Sequence, residues 1–183
     1  NQSYRGVDEA NMLYSLEDIE KFKSGDYPWT HPNTDWYDSA LKDFSTTNHH
    51  NLSLSGGSEN ISYFASFGKQ FDDGIYTNSL TSYNRYNLRA NLDFKLNDFI
   101  NIGLDLSGIQ ENSLYPTKSA SDIFRSLRRS YPTQAALFPN GLPGPDIEFG
   151  DQPMVSASDA TGFDDRKEYR LNNVFSANIR IPW

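Results

Sequence analysis

Between Arg85 and Leu96 polar and apolar residues alternate for twelve positions without a break: Arg85, Asn87, Arg89, Asn91, Asp93 and Lys95 against Tyr86, Leu88, Ala90, Leu92, Phe94 and Leu96. Successive side chains of an extended strand point to opposite faces, so this period of two predicts a strand and excludes a helix here. The run exceeds the roughly five or six residues of an ordinary soluble strand. It reaches the roughly nine to eleven that a tilted strand needs to cross a bilayer. Such a chain must supply an apolar environment for one face and water for the other.

Only 37% of the 183 residues are apolar, below the roughly 45–50% of ordinary globular domains. No stretch approaches the roughly 20 continuous apolar residues of a membrane helix. A transmembrane barrel leaves a weaker hydropathy signal, because its strands present only alternate residues to lipid. Aromatic residues make up 14%, which suits interfacial girdles, glycan stacking or plain cores. With 24 acidic against 16 basic residues, net charge −8, the chain lacks the cationic surplus that nucleic-acid affinity needs. There is no cysteine, so disulfides, thiolate catalysis and cysteine-ligated metals are excluded. The opening Asn1-Gln2-Ser3-Tyr4-Arg5-Gly6 carries neither an initiator Met nor a basic-then-apolar signal and reads as the start of an excised or processed piece.

Four divisions are expected: a long loop with a short helix over 1–48, four antiparallel strands over 49–111, a long loop with a helix over 112–167, and a further strand over 168–183. In the first, Ser15 to Ser24 reads as a helix, with Ser15 and Asp18 as a capping box, Leu16, Ile19 and Phe22 at helical spacing, and Gly25 as terminator. The strands are expected at Asn51–Ser55, Ile61–Phe71, Arg85–Leu96, Ile100–Ile109 and Tyr169–Ile181, with Asn173 and Val174 outside the pattern of the last. The second helix is expected at Ser121–Tyr131, capped by Ser121-Asp122, with Ile123, Phe124, Leu127 and Tyr131 as its apolar stripe and Pro132 as its stop. Its three arginines, Arg125, Arg128 and Arg129, suit an anionic ligand or a solvated helix face.

The connections are more telling than the strands, because every second one is short. Gly56 to Asn60 and Asn97 to Phe99 are tight; Asp72 to Tyr83 is medium and Glu111 to Glu168 very long. In an up-and-down meander this collects the tight turns at one end and the long loops at the other, as in outer-membrane barrels. A soluble β-sandwich that binds glycan also alternates and also has uneven loops. The mixed-sign polar face of Arg85, Arg89, Asp93, Lys95 and Asp105 favours a wet lumen.

Enzyme signatures are absent: no nucleophile elbow, zinc-protease helix, phosphate-binding glycine loop or dinucleotide fingerprint occurs. Adjacent His49 and His50 would face opposite sides of a strand and so cannot easily chelate one metal. Asp72-Asp73-Gly74 is a turn sequence without calcium-loop spacing. A hydrolase would need a set separation between acids across a cleft, which Asp164-Asp165 does not establish. No cofactor is expected. Tyr27, Trp29, Trp36 and Tyr37, flat rings in a polar and proline-broken loop, are the candidate ligand contacts, with packing of the loop as the competing use of the same rings.

Several local sequences then fall into a pattern. Pro32-Asn33-Thr34-Asp35-Trp36, Asn51-Leu52-Ser53-Leu54-Ser55-Gly56-Gly57-Ser58-Glu59, Tyr63-Phe64-Ala65-Ser66-Phe67-Gly68, Asp73-Gly74-Ile75 and Tyr83-Asn84-Arg85-Tyr86-Asn87-Leu88-Arg89 resemble, in order and spacing, the SusC/RagA family of TonB-dependent outer-membrane transporters. Pro132, Pro139-Asn140-Gly141 and Gln152-Pro153-Met154-Val155 resemble the family's long loop. The resemblance implies a barrel of about 22 strands around a plug, importing glycans or peptides across the outer membrane of Bacteroidota. It also implies energy delivered by TonB through a plug not included in this chain, and a SusD-like surface lipoprotein as partner. Lys69 departs from the pattern, standing where the family often carries an aromatic. The expected fold is therefore all-β, antiparallel up-and-down strands forming part of a transmembrane β-barrel, with long loops carrying short helices. Arg85, Arg89, Asp93 and Lys95 are expected to face the lumen.

Overall fold

A computed structural model describes residues 13–148 and 150–181; the opening hexapeptide lies outside them. The described chain divides into two compact units, a sheet (44–75, 80–115 and 163–181) and a loop unit (13–43, 76–79 and 116–162).

The sheet is all antiparallel and strictly sequential. Its strands are β1 (Thr47–Gly57), β2 (Ile61–Asp73), β3 (Ser82–Lys95), β4 (Ile100–Pro116) and β5 (Phe163–Ile179), in spatial order β1-β2-β3-β4-β5. Every one of them is longer than the sequence pattern alone indicated. Backbone pairing continues past the alternating segments, with Thr47 reaching Asp72 and Ser82 reaching Leu114. Tight turns join β1 to β2 and β3 to β4. In the first, Ser58 N–H donates to Ile61 O at 2.7 Å, and a Cβ on Gly57 would lie 2.5 Å from the Ile61 carbonyl oxygen. In the second, Asn97 Oδ1 accepts from the backbone N–H groups of Phe99 and Ile100 at 2.9 and 3.0 Å, a side chain standing in for a backbone turn.

The register sorts the side chains into two faces. Ala65 sits opposite Leu54 on one side and Ala90 on the other, and Ala90 is opposite Leu106. Leu52, Phe67, Leu88 and Gly108 form the next row, and Leu171 of β5 lies over Gly108, where a Cβ would meet its Cδ2 at 3.2 Å. This apolar face is bare: Leu88 is 60% and Ile179 67% exposed. Among the described residues no second sheet covers it. The face ends at Lys69, whose ammonium stands 5.8 Å from the ring centroid of its partner Tyr86. Asn173 and Val174, irregular by sequence, belong to a continuous β5.

The loop unit has its own core of Trp36, Ala40, Tyr76, Ile123, Leu127, Ala136, Ile147, Met154 and Ala157, drawn from three stretches far apart in sequence. Its helices are α1 (Leu16–Ser24), α2 (Trp36–Ala40), α3 (Ala120–Arg129) and α4 (Pro153–Ala157), followed by a single 3₁₀ turn (Asp159–Thr161). In α1 both halves of the Ser15–Asp18 capping box form and Gly25 ends the helix at φ 75°; its apolar residues are only half covered, and none is buried. In α3 the cap is Ser119 rather than Ser121, with Ser119 Oγ accepting from Asp122 N–H at 3.2 Å. Ile123 and Leu127 of the expected stripe are buried, while Tyr131 falls beyond the helix and is exposed. Neither α2 nor α4 was evident in the sequence, since each is a bare five residues and too short to show a period.

Candidate functional site

The loop unit holds an open groove of about 800 Å³ between the segment 33–37 and the C-terminal end of α3, lined by Asn33, Asp35, Trp36, Tyr37, Leu127 and Arg128 together with Thr34, Ser130 and Pro132. Three hydrogen bonds clamp its walls together. Thr34 N–H donates to Pro132 O at 2.8 Å, Thr34 Oγ1 to Gln134 O at 2.7 Å and Trp36 Nε1 to Tyr131 O at 2.8 Å. Asp35 caps α2, its Oδ1 accepting from Tyr37 and Asp38 N–H at 3.0 and 3.1 Å.

The four aromatic candidates are therefore not one cluster. Trp36 is 4% exposed and anchors the groove from within the core. Tyr37 is 45% exposed on the groove's lining. Trp29 is exposed and stacks on Phe138, with centroids 5.3 Å apart and planes 13° from parallel. Tyr27 is exposed beside His31 and under Lys21, whose ammonium is 5.9 Å from the ring. Groove and stack both draw on aromatic residues of the 27–37 segment.

Several charges of the loop unit are paired. Arg125 Nη1 meets Asp122 at 3.0 Å and Lys118 meets Asp151 at 2.7 Å; the hydrogen bond from Lys118 to Asp151 raises the lysine's pKa. Ser15 hydroxyl and backbone bonds, together with His31 Nε2 at 3.2 Å, lower the pKa of Asp18, the Ser15 side-chain bond most of all. Arg128 and Arg129 are exposed and have no hydrogen bond or ion pair among the described residues, and of the two only Arg128 lines the groove. Gln152, which sequence reasoning missed, is buried and cross-braces the unit. Its Nε2 donates to Ala136 O at 2.6 Å, its Oε1 accepts from Val155 N–H at 2.9 Å, and its own N–H donates to Asp146 at 3.0 Å. A glutamine is a poor sequence signal for a cap, so only its position before Pro153 hinted at it.

On the sheet, Arg85, Arg89, Asp93 and Lys95 lie on the polar face. A second groove, about 510 Å³, includes Arg85, Asn87 and Arg89 of β3 with His49, Asn51, Ser66, Gln70 and Ser107 of its neighbours. Arg89 is opposite Ser107, not Asp105, and its Nε donates to Asn91 Oδ1 at 3.1 Å. Arg85 approaches Glu111 at 3.8 Å, and the same carboxylate accepts from Tyr83 OH at 2.5 Å and pairs with Arg170 of β5. Asp93 accepts weakly from Ser62 Oγ at 3.4 Å, and Lys95 pairs with Asp98 in the turn at 2.8 Å. His49 and His50 face Gln70 and Lys69 on opposite sides of the sheet. Among the described residues, no group of three His, Cys, Asp or Glu could hold a metal ion, and no helix is long and apolar enough to cross a membrane.

No protein-family model matches the chain. Over 76 residues it is 37% identical to a TonB-dependent receptor, P26, of Formosa agariphila; the matched stretch is 42% of this chain and 7% of that protein. The chain thus spans a small part of the length of the curated relative it matches. This partial similarity, together with the five-stranded antiparallel meander, supports kinship with TonB-dependent receptors.

Proposed function

We propose that the chain is a segment of wall and surface loops from an outer-membrane TonB-dependent transporter of the SusC/RagA type, importing oligosaccharides or peptides through a plugged barrel. The observation that carries this reading is the bare apolar face. Leu52, Leu54, Phe67, Leu88, Leu171, Phe175 and Ile179 are all exposed, on strands long enough to span a bilayer and opposite a charged face. In water such a patch would drive aggregation, whereas in lipid it costs nothing. From the Ile61 row to the Lys69 row the face runs eight residues of β2, about 26 Å along the strand. A tilt of about 40° reduces this to about 20 Å, close to the roughly 25 Å apolar band of such barrels.

On this reading Arg85, Arg89, Asp93 and Lys95 face the lumen, and the tight turns are periplasmic. The long connections between strands are then extracellular, so that Tyr27, Trp29 and Tyr37 are available to substrate and to a SusD-like lipoprotein, and TonB acts through a plug outside this chain. Transport through a lumen requires no catalytic residue and no cofactor. Single-cysteine labelling of the full-length protein in native outer membranes, with any cysteine outside these 183 residues first replaced, is a direct test. L88C, A90C and L92C should resist a membrane-impermeant maleimide, and N87C and R89C should react from the aqueous side. Equal labelling of both sets would refute the reading.

A further inference from the structure

The chain carries net charge −8, yet the clamped groove of the loop unit is lined by a cation with no partner among the described residues. We infer that this groove is a saccharide subsite for a carboxylate-bearing sugar, with Arg128 pairing the carboxylate and Tyr37 stacking on the ring. The inference rests on the transporter reading and names the substrate class for one part of it.

The volume, about 800 Å³, falls within the range of small-ligand sites. Rigidity comes from the Thr34 and Trp36 bonds to 131–134, which hold the walls without a ligand; a pre-formed site loses less entropy on binding. Arg125, three residues before Arg128, is already taken by Asp122. Arg128 keeps its planar fork of donors free for a carboxylate, which accepts it in bidentate fashion. The other charged lining residue, Asp35, has one oxygen committed to two backbone N–H groups. Tyr37 offers an exposed flat ring and Asn33 an amide for hydroxyls. A peptide is the poorer fit. Two backbone groups of the wall are already used, Thr34 N–H on Pro132 O and Tyr131 O on the Trp36 indole and Gln134 N–H, and no β-strand lines the groove for a peptide to extend. The chain's overall negative charge does not forbid an anion, because at physiological salt charges are screened beyond about 8 Å.

The test uses the full-length protein in nanodiscs at 150 mM salt with three probes: a uronate tetrasaccharide, the neutral hexose tetrasaccharide of the same linkage, and an acidic tetrapeptide, each followed by calorimetry. The uronate should bind best, and Arg128→Gln should weaken it about tenfold to a hundredfold, the scale of a charge-assisted pair. Arg128→Lys should recover part of the loss, Tyr37→Ala should weaken uronate and neutral sugar alike, and Arg125→Gln should change neither. Uronate binding indifferent to Arg128→Gln, binding of none of the probes, or a preference for the acidic peptide would each overturn the inference. Outer-membrane location and the cysteine pattern are scored separately, in native outer membranes. Their failure would remove the transporter reading, whereas a correctly inserted protein with Arg128-indifferent binding would remove only the subsite.

Discussion

Ala90 sits at the middle of the bare apolar face, and replacing it with arginine separates lipid from water as the environment of that face. Its row, Leu54, Ala65, Ala90 and Leu106, lies four residues from both the Ile61 row and the Lys69 row, about 13 Å along the strand or about 10 Å in depth at a 40° tilt. An arginine at the midplane of a barrel's lipid face costs about 2–4 kcal/mol, falling to about 0–1 near the interfaces. The lower figure is already a factor of about 30 in the folding equilibrium. Asn84, on the same face but beyond Lys69 and Tyr86, should then accept arginine at about 0–1 kcal/mol. Asn91, on the opposite face, should accept it within about 0.5 kcal/mol, as a wet surface does. The assay is equilibrium unfolding of the full-length protein from lipid vesicles in guanidinium, read by the heat-modifiable shift in electrophoretic mobility. A cost at Ala90 no greater than that at Asn91 would refute the lipid assignment, since a water-exposed face imposes no such penalty. A cost at Asn84 as large as that at Ala90 would equally refute it, because only a membrane makes the penalty depend on depth.

Three further outcomes follow from the loop unit. Gly144→Ala should open the segment around 135–144, because a Cβ there collides with the Ala135 carbonyl oxygen and the backbone cannot yield as a side-chain tip can; hydrogen exchange at Gly144, whose N–H donates to Ala136 O at 3.0 Å, should rise sharply. Trp36→Phe should keep most of the buried volume but leave Tyr131 O with only its bond from Gln134 N–H at 3.1 Å, costing about 0.5–1.5 kcal/mol of local stability, seen as faster exchange in 33–37 and 131–134; unchanged exchange would mean that the bond is dispensable. Acidification should loosen α1: the carboxyl of Asp18 is lowered by its Ser15 bonds and then by His31, so its stabilising effect is present above the ordinary aspartate range and is lost as pH falls through the lowered value. Helix-amide protection in 16–24 should drop there in the native protein and show no such drop in Asp18→Asn.

The polar-apolar alternation from Arg85 to Leu96 determined a great deal by itself. Period, strand direction and turn chemistry are local properties, so the hairpins at 58–60 and 96–99, the up-and-down order and the two-faced sheet were all legible from residue types. The α1 cap was legible for the same reason, since Ser15, Asp18 and Gly25 act within one turn of each other. Partnership was not legible, because which side chains meet depends on the register between strands and on the packing of loops remote in sequence. Arg89 and Asp105 have opposite charges on one face, yet the register sets Ser107 opposite Arg89. Trp36 and Tyr37 are adjacent aromatics, but α2 turns one into the core and leaves the other on the groove. Ser119 and not Ser121 is the cap of α3, three residues before the Asp122 N–H that it accepts, so that boundary too was set by local spacing, whereas the burial of Ile123 and Leu127 beside Trp36 and Met154 was set by packing. The sequence could indicate a wall with one wet face, since alternation needs only neighbours along the chain. The groove with a free Arg128 came from tertiary structure, since it needs segments about a hundred residues apart to be held together by bonds that no local pattern encodes.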